Sequence, residues 1–184
     1  MEVSVNVFDM LQVNKYLRFV KFGMYHSSIV LNTSKEIYYG CGTGSNQTGV
    51  FVKSPHFPPR APEGPIYRTF YLGTTKFSEK QVLKILDRYQ HSNVWKQSRY
   101  NIFYHNCNSF TLDFCRTILA PSQFSLFPFF ISRGEKSLQF IFSLSLSHFT
   151  IFFRKNSILT TPPPSSEEYQ EDLDLITEPQ TNLS

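Results

Sequence analysis

Tyr104-His105-Asn106-Cys107-Asn108-Ser109-Phe110 is the stretch on which the reading of this chain turns. A cysteine stands between two asparagines. Beyond it Phe110, Phe114, Ile118 and the neighbouring Leu119 recur at helical spacing. The pattern predicts a helix with Cys107 in or just before its first turn. A helix start carries backbone N–H groups without intrahelical partners and a partial positive charge. Both favour the thiolate, the nucleophilic form of cysteine, and the same N–H groups can stabilise an oxyanion. The pattern equally suits a buried structural cysteine, because free cysteine is among the most buried residue types. Asn is a favoured N-cap, so Asn106 and Asn108 are expected to cap the helix rather than to act on substrate.

Upstream, the chain reads as strands followed by one clear helix. Residues 3–8 alternate Val, Ser, Val, Asn, Val, Phe, the period of a strand with one buried face. Residues 10–22 read as a loop or a short helical turn. Residues 25–31 and 36–39 form two further strands around a turn at 32–35, a hairpin. Residues 50–52 and 66–72 add two more, separated by a proline-rich loop at 54–65. Ser78 with Gln81 is a capping-box signature, and Val82, Ile85, Leu86 and Tyr89 then mark an amphipathic helix over 78–91. Residues 92–99 read as a polar connection holding the single tryptophan, Trp95.

The chain has 184 residues and a net charge of +4, unevenly spread. Residues 1–119 carry 14 Lys and Arg against 7 Asp and Glu, whereas residues 160–184 carry none against 6. The basic residues are scattered singly, so no nucleic-acid surface is expected. Three cysteines at wide spacing, Cys41, Cys107 and Cys115, do not form a disulfide framework. The N-terminus lacks the basic and apolar regions of a signal peptide. A reducing compartment, cytosol or nucleus, is therefore expected. The run Gly40-Cys41-Gly42-Thr43-Gly44 lacks the Lys-Ser/Thr pair of a phosphate loop. Cys41, His105, Cys107 and Cys115 lack zinc-ligand spacing. No metal and no other cofactor is expected.

A cysteine nucleophile needs a base within hydrogen-bond reach. Of five histidines, His56 lies in the proline-rich loop, His91 at a helix end and His148 in the Phe-rich segment. His105 lies two residues before Cys107, and on helical backbone residues two apart do not face each other. His26 opens a strand after Gly23-Met24-Tyr25 and is followed by the small Ser27 and Ser28. A strand histidine facing a helix-start cysteine is the geometry of a thiolate–imidazolium pair. By itself, a strand histidine is equally compatible with a plain core or surface position.

Five segments in order resemble one family. They are Val5-Asn6-Val7-Phe8-Asp9-Met10, then Gly23-Met24-Tyr25-His26-Ser27-Ser28-Ile29, then Glu36-Ile37-Tyr38-Tyr39-Gly40, then Gly73-Thr74-Thr75, and finally the block from Tyr100 to Phe110. Together residues 3–119 resemble the PPPDE superfamily of desumoylating-isopeptidase-type thiol hydrolases. The resemblance implies an α+β, papain-like cysteine hydrolase fold in permuted order, an antiparallel sheet packed against helices. It implies a Cys–His dyad, carried onto Cys107 and His26, that cleaves ubiquitin or SUMO from target lysines. Some relatives are associated instead with protein S-acyl thioester hydrolysis. An inactive module that only binds a ubiquitin-like protein is the third reading. Oligomeric state is not legible.

The domain is expected to span 1–120. Relatives continue past the cysteine helix with a proline–aromatic segment that packs back. Residues 121–159 read as atypical: 20 of the 32 residues 122–153 are Phe, Ser or Leu, the composition a translated intron would have. The uncharged run 137–153 has the minimum length of a membrane span, but four serines make it a poor one, and no membrane partner is expected. Residues 160–184 begin with a proline-rich linker and continue as an acidic tail, expected to be disordered.

Overall fold

The computed structural model of the chain describes residues 1–11, 14–17, 23–42, 46–54 and 66–132. The proline-rich loop from 55 on, the run 137–153 and the tail 160–184 lie outside the described residues. Among the described residues five strands form one sheet: β1 (Glu2–Asp9), β2 (Tyr25–Leu31), β3 (Lys35–Tyr39), β4 (Val50–Lys53) and β5 (Ile66–Thr74). Their order is β4-β3-β2-β1-β5, and every pairing is antiparallel. Among the described residues four α-helices accompany it: α1 (Asn14–Leu17), α2 (Glu79–His91), α3 (Cys107–Ile118) and α4 (Pro121–Phe124). The fold is therefore α+β, an antiparallel sheet with helices packed on it. Strands and long helices fall where alternation and helical spacing place them.

The hairpin of β2 and β3 closes on a tight turn. Ser34 N–H donates to the Leu31 carbonyl at 3.0 Å, and both central residues have positive φ, Asn32 at 47° and Thr33 at 54°. Two such residues match the right-handed twist of the strands. Its register sets Ile37 beside Ile29 in the core. The turn thereby makes β2 the middle strand, and all seven of its residues are buried.

Val3, Val5 and Val7 of β1 point into the core with Ile29, Leu31 and Ile37, as a period of two requires. Opposite them lie Val82, Leu86 and Tyr89 of α2, and Phe110, Phe114 and Ile118 of α3. Ser78 and Gln81 form the expected capping box at the start of α2. Trp95 differs from its expected place in a polar connection. It is 1% exposed and lies at the centre of an aromatic cluster, edge-on to Tyr39 at 5.0 Å and to Phe110 at 5.1 Å. Asn93 and Ser98 nearby are exposed while Ser92, Val94 and Gln97 are buried with the indole, because a large apolar ring gains most from burial.

The second face of the sheet centre carries a buried polar layer. Glu36 is 2% exposed; it accepts hydrogen bonds from Ser28 Oγ and from Asn6 Nδ2 (3.4 Å), and Lys53 Nζ stands 3.9 Å from its other oxygen. A buried carboxylate is tolerated when its oxygens are satisfied in this way.

Residues 121–132, which the sequence reading set apart from the domain, pack onto it. Phe127 and Ile131 are buried, and the Phe130 ring stands edge-on to Tyr25 at 5.3 Å. Gln123 Nε2 donates to the Thr74 carbonyl at 2.7 Å. The Phe-rich composition hid an ordinary apolar anchor. Ile131→Ala should lower unfolding stability by about 2–4 kcal/mol, the cost of an aliphatic core truncation, read from the denaturant midpoint. A midpoint equal to that of the wild type would place these residues outside the cooperative unit.

Candidate active site

The approach to Cys107 is built by a closed turn. Asn101 and His105 pair in both directions, N–H to carbonyl at 2.8 and 3.0 Å, and Asn101 Oδ1 accepts from Phe103 N–H at 3.0 Å. Tyr100 enters this turn and Asn106 leaves it, so the two lie side by side. His105 is held in the core. Its ring stacks on Trp95 at 4.5 Å, and its Nε2 lies 2.8 Å from the Val94 carbonyl, to which it donates. Burial is the main reason its pKa falls to about 4, with the Arg99 charge adding to the fall and the Val94 bond opposing it. This histidine is therefore neutral at physiological pH and braces the turn.

Asn106 caps α3. Its Oδ1 accepts from Asn108 N–H (2.9 Å) and Ser109 N–H (3.1 Å), and Ser109 Oγ accepts from Asn106 N–H (2.7 Å), a reciprocal capping box. Asn108 does something else. It is fully buried, its Nδ2 donates to the Tyr25 carbonyl (2.9 Å) and the Ile131 carbonyl (3.4 Å), and its Oδ1 accepts from Ser27 Oγ (2.7 Å). One side chain thus clamps the first turn of α3 to the two chain neighbours of His26. The expected capping role holds for Asn106. For Asn108 the structure replaces it with a clamp, because its side chain faces β2 while its N–H faces the cap.

Cys107 is the first residue of α3 and is 3% exposed. It lines a cleft of about 240 Å³ with Met10, Met24, Tyr25, Tyr100, Ile102 and Asn106. Tyr100 O–H reaches within 4.0 Å of Sγ. Met10 and Met24 lie at the end of the β1–β2 pair, joined by a Met10 N–H bond to the Met24 carbonyl at 3.2 Å. His26 is the second residue of β2 from that same end, opposite Phe8 in register. Tyr25 and Ser27 turn to α3; the His26 ring lies against Phe8 (5.5 Å) and Tyr38 (5.9 Å), and its Nε2 is sealed from solvent. The structure therefore brings the backbone of His26 and the helix start of Cys107 to one end of the sheet.

The remaining candidates fall elsewhere. His91 is exposed at the end of α2, with Nδ1 2.8 Å from the Asp87 carbonyl. His56 and His148 lie outside the described residues. Cys115 is fully buried, which pushes its thiol pKa far up and keeps it protonated. Cys41 is exposed on the loop after β3. Sequence reasoning missed Tyr100 as a neighbour of the thiol and Asn108 as the clamp. Tyr100 stood at the head of the cysteine block, but only the turn shows that seven residues of chain fold back on themselves.

A helix that starts at a cysteine and packs on a five-stranded antiparallel sheet is an α+β arrangement consistent with a papain-like fold. The chain belongs to the PPPDE family: the sequence model described as "PPPDE putative peptidase domain" matches residues 1–139. The chain is also similar to a DeSI-like protein of Arabidopsis thaliana, 31% identical over 114 residues, which make up 61% of this chain and 47% of that one. The chain thus spans about half the length of that relative. The family match runs past residue 120 and includes the packed segment 121–132. Among the described residues, no helix is long and apolar enough to cross a membrane.

The buried His105 makes stability depend on pH. Its pKa is about 4 folded and about 6.5 unfolded, so between those values the unfolded chain binds the extra proton. Stability is then complete above about pH 6.5 and falls as pH drops toward 4, by up to roughly 3 kcal/mol. In NMR spectra of the folded protein, the His105 ring protons should keep their neutral shifts down to about pH 5. A midpoint near 6.5 would show that this ring is not desolvated.

Proposed function

We propose that this protein is a cysteine isopeptidase that removes a ubiquitin-like modifier, ubiquitin or SUMO, from target proteins through Cys107 and His26. The single observation that carries the reading is the Asn108 clamp, which ties the turn bearing Cys107 to the residues on either side of His26. Family membership and the cleft that Cys107 lines support it. The His26 ring rests on Phe8 and Tyr38 rather than in the cleft lining, and its contact with the thiol is what the proposal adds.

In this mechanism His26 takes the proton of the Cys107 thiol. The sulfur attacks the isopeptide carbonyl carbon, and the amide π pair moves to oxygen. The adduct collapses, and the imidazolium gives its proton to the departing lysine amine. Water, deprotonated by the same imidazole, then attacks the thioester and releases the modifier with a free carboxylate. His105 takes no part, since its ring is committed to the core. Ubiquitin or SUMO conjugates are the proposed partners, and cytosol or nucleus the proposed compartment.

A second reading, a protein S-acyl thioesterase using the same dyad, is favoured by the lining of the cleft. Met10, Met24 and Ile102 present hydrocarbon and thioether surface beside the thiol, with the rings of Tyr25 and Tyr100.

Ubiquitin and SUMO vinyl-type probes and an acyl-thioester substrate, used in parallel, separate the readings. Cys107→Ala should abolish probe labelling and lower turnover by about 10³-fold or more. His26→Asn should lower turnover by about 10²–10⁴-fold, the usual contribution of a general acid–base. Labelling that survives in Cys107→Ala would remove Cys107 as nucleophile. A folded wild type inert to every probe would leave only a binding module.

A further inference from the structure

We infer that Tyr100 is a catalytic residue whose hydroxyl stabilises the oxyanion formed when Cys107 attacks a carbonyl. The inference deepens the reading above and rests on Cys107 being the nucleophile. A helix start serves an anion through its first N–H groups. In α3 two of these are already committed, and a third N–H makes the first bond of the helix itself. Asn108 and Ser109 N–H both bond Asn106 Oδ1, at 2.9 and 3.1 Å, and Phe110 N–H bonds the Asn106 carbonyl at 3.0 Å. The cap that starts the helix has occupied two of the donors that an oxyanion would otherwise use.

Tyr100 stands where a further donor can reach that oxygen. Its O–H lies 4.0 Å from Cys107 Sγ and lines the same cleft. That distance is informative. An oxyanion donor must lie about 2.7–3.1 Å from the oxygen that will form, not from the nucleophile. A gap of 4.0 Å leaves room for the oxygen of a carbon newly bonded to that sulfur.

The hydroxyl is also held in place before any substrate arrives. Tyr100 N–H bonds the Gln97 carbonyl at 3.2 Å, closing the short 3-10 turn Gln97–Arg99. Its ring rests on Tyr39 at 5.2 Å, and Tyr39 is itself tied by its hydroxyl to the Lys96 carbonyl at 2.8 Å. The paired Asn101 and His105 then bring the chain back to Cys107. Fixed donors of this kind need no reorganisation as charge develops.

The sulfur electron pair forms the S–C bond, and the carbonyl π pair moves to oxygen. Tyr100 keeps its proton and hydrogen-bonds that oxygen. On collapse the pair returns to the C=O bond. The bond to the leaving group breaks, and that group departs with the proton held by the imidazolium.

The test compares the wild-type chain with Tyr100→Phe, which keeps the ring on Tyr39. One arm measures alkylation of Cys107 by iodoacetamide, a displacement that forms no oxyanion and reports the thiolate and its access. The other measures single-turnover acyl transfer, from a small acyl thioester and from ubiquitin and SUMO bearing a C-terminal fluorogenic amide. Acyl transfer should fall about 10²–10³-fold, with KM little changed and the alkylation rate within about threefold. An equal fall in both arms would assign Tyr100 to the thiol or the cleft shape and overturn the inference. So would unchanged acyl transfer. A wild type that alkylates at Cys107 but accepts no acyl group would sink the isopeptidase and thioesterase readings themselves, and this role with them.

Discussion

The buried side chain of Asn108 holds the two halves of this domain in register. It has no solvent to fall back on, so its donors and acceptor must find partners within the protein. It finds them on β2, at the Tyr25 carbonyl and Ser27 Oγ, and on the returning segment at the Ile131 carbonyl. A slide of α3 along the sheet would strand several polar groups at once. The cost of an unsatisfied buried group, about 1–3 kcal/mol each, makes this contact a positional lock as well as a stabilising one. Cys107 is next to it in sequence, so its place relative to β2 is inherited from that lock.

Around the lock, apolar and polar layers divide the work. The aromatic cluster of Tyr39, Tyr89, Trp95, His105, Phe110 and Phe114 supplies buried area and edge-to-face contacts between the sheet and both long helices. It also fixes the turn that leads to Cys107, because His105 is at once a member of the cluster and a partner in the turn. The second face of the sheet is polar where β2 meets its neighbours. Glu36, Ser28 and Asn6 satisfy one another there, and Thr69 Oγ1 adds a bond to Asn6 Oδ1 at 2.7 Å. Lys53 lies over the rings of Tyr38 and Phe8, the two rings that flank His26. The imidazole thus sits at the boundary between an apolar and a polar environment.

Local patterns reach a long way here. The strand alternation of Val3, Val5 and Val7, the capping box of Ser78 and Gln81, and the helical spacing from Phe110 to Ile118 are short-range signals. Each depends only on a residue's own backbone geometry and its neighbours within a turn or two. The two motifs around His26 and Cys107 are local as well, which is why a family resemblance was visible in them. Trp95 was less legible. Its neighbours are polar, and what buries the indole is a set of rings contributed by residues far away in sequence.

By itself, then, the sequence determined the order of elements, the helix start at Cys107 and the α+β class, because periodicity and capping are written in consecutive residues. Only the tertiary structure decided which side chains share a space. Asn106 and Asn108 are the same residue type two positions apart, yet one caps and the other clamps. Their difference lies in which side of the helix faces β2. Residues 121–132 look like biased composition in the chain and serve as an apolar anchor in the fold. Tyr100 becomes a neighbour of the thiol only because the Asn101–His105 pairing folds the chain back on itself. Contacts of this kind depend on the mutual positions of distant backbone segments, and no local window of sequence encodes them.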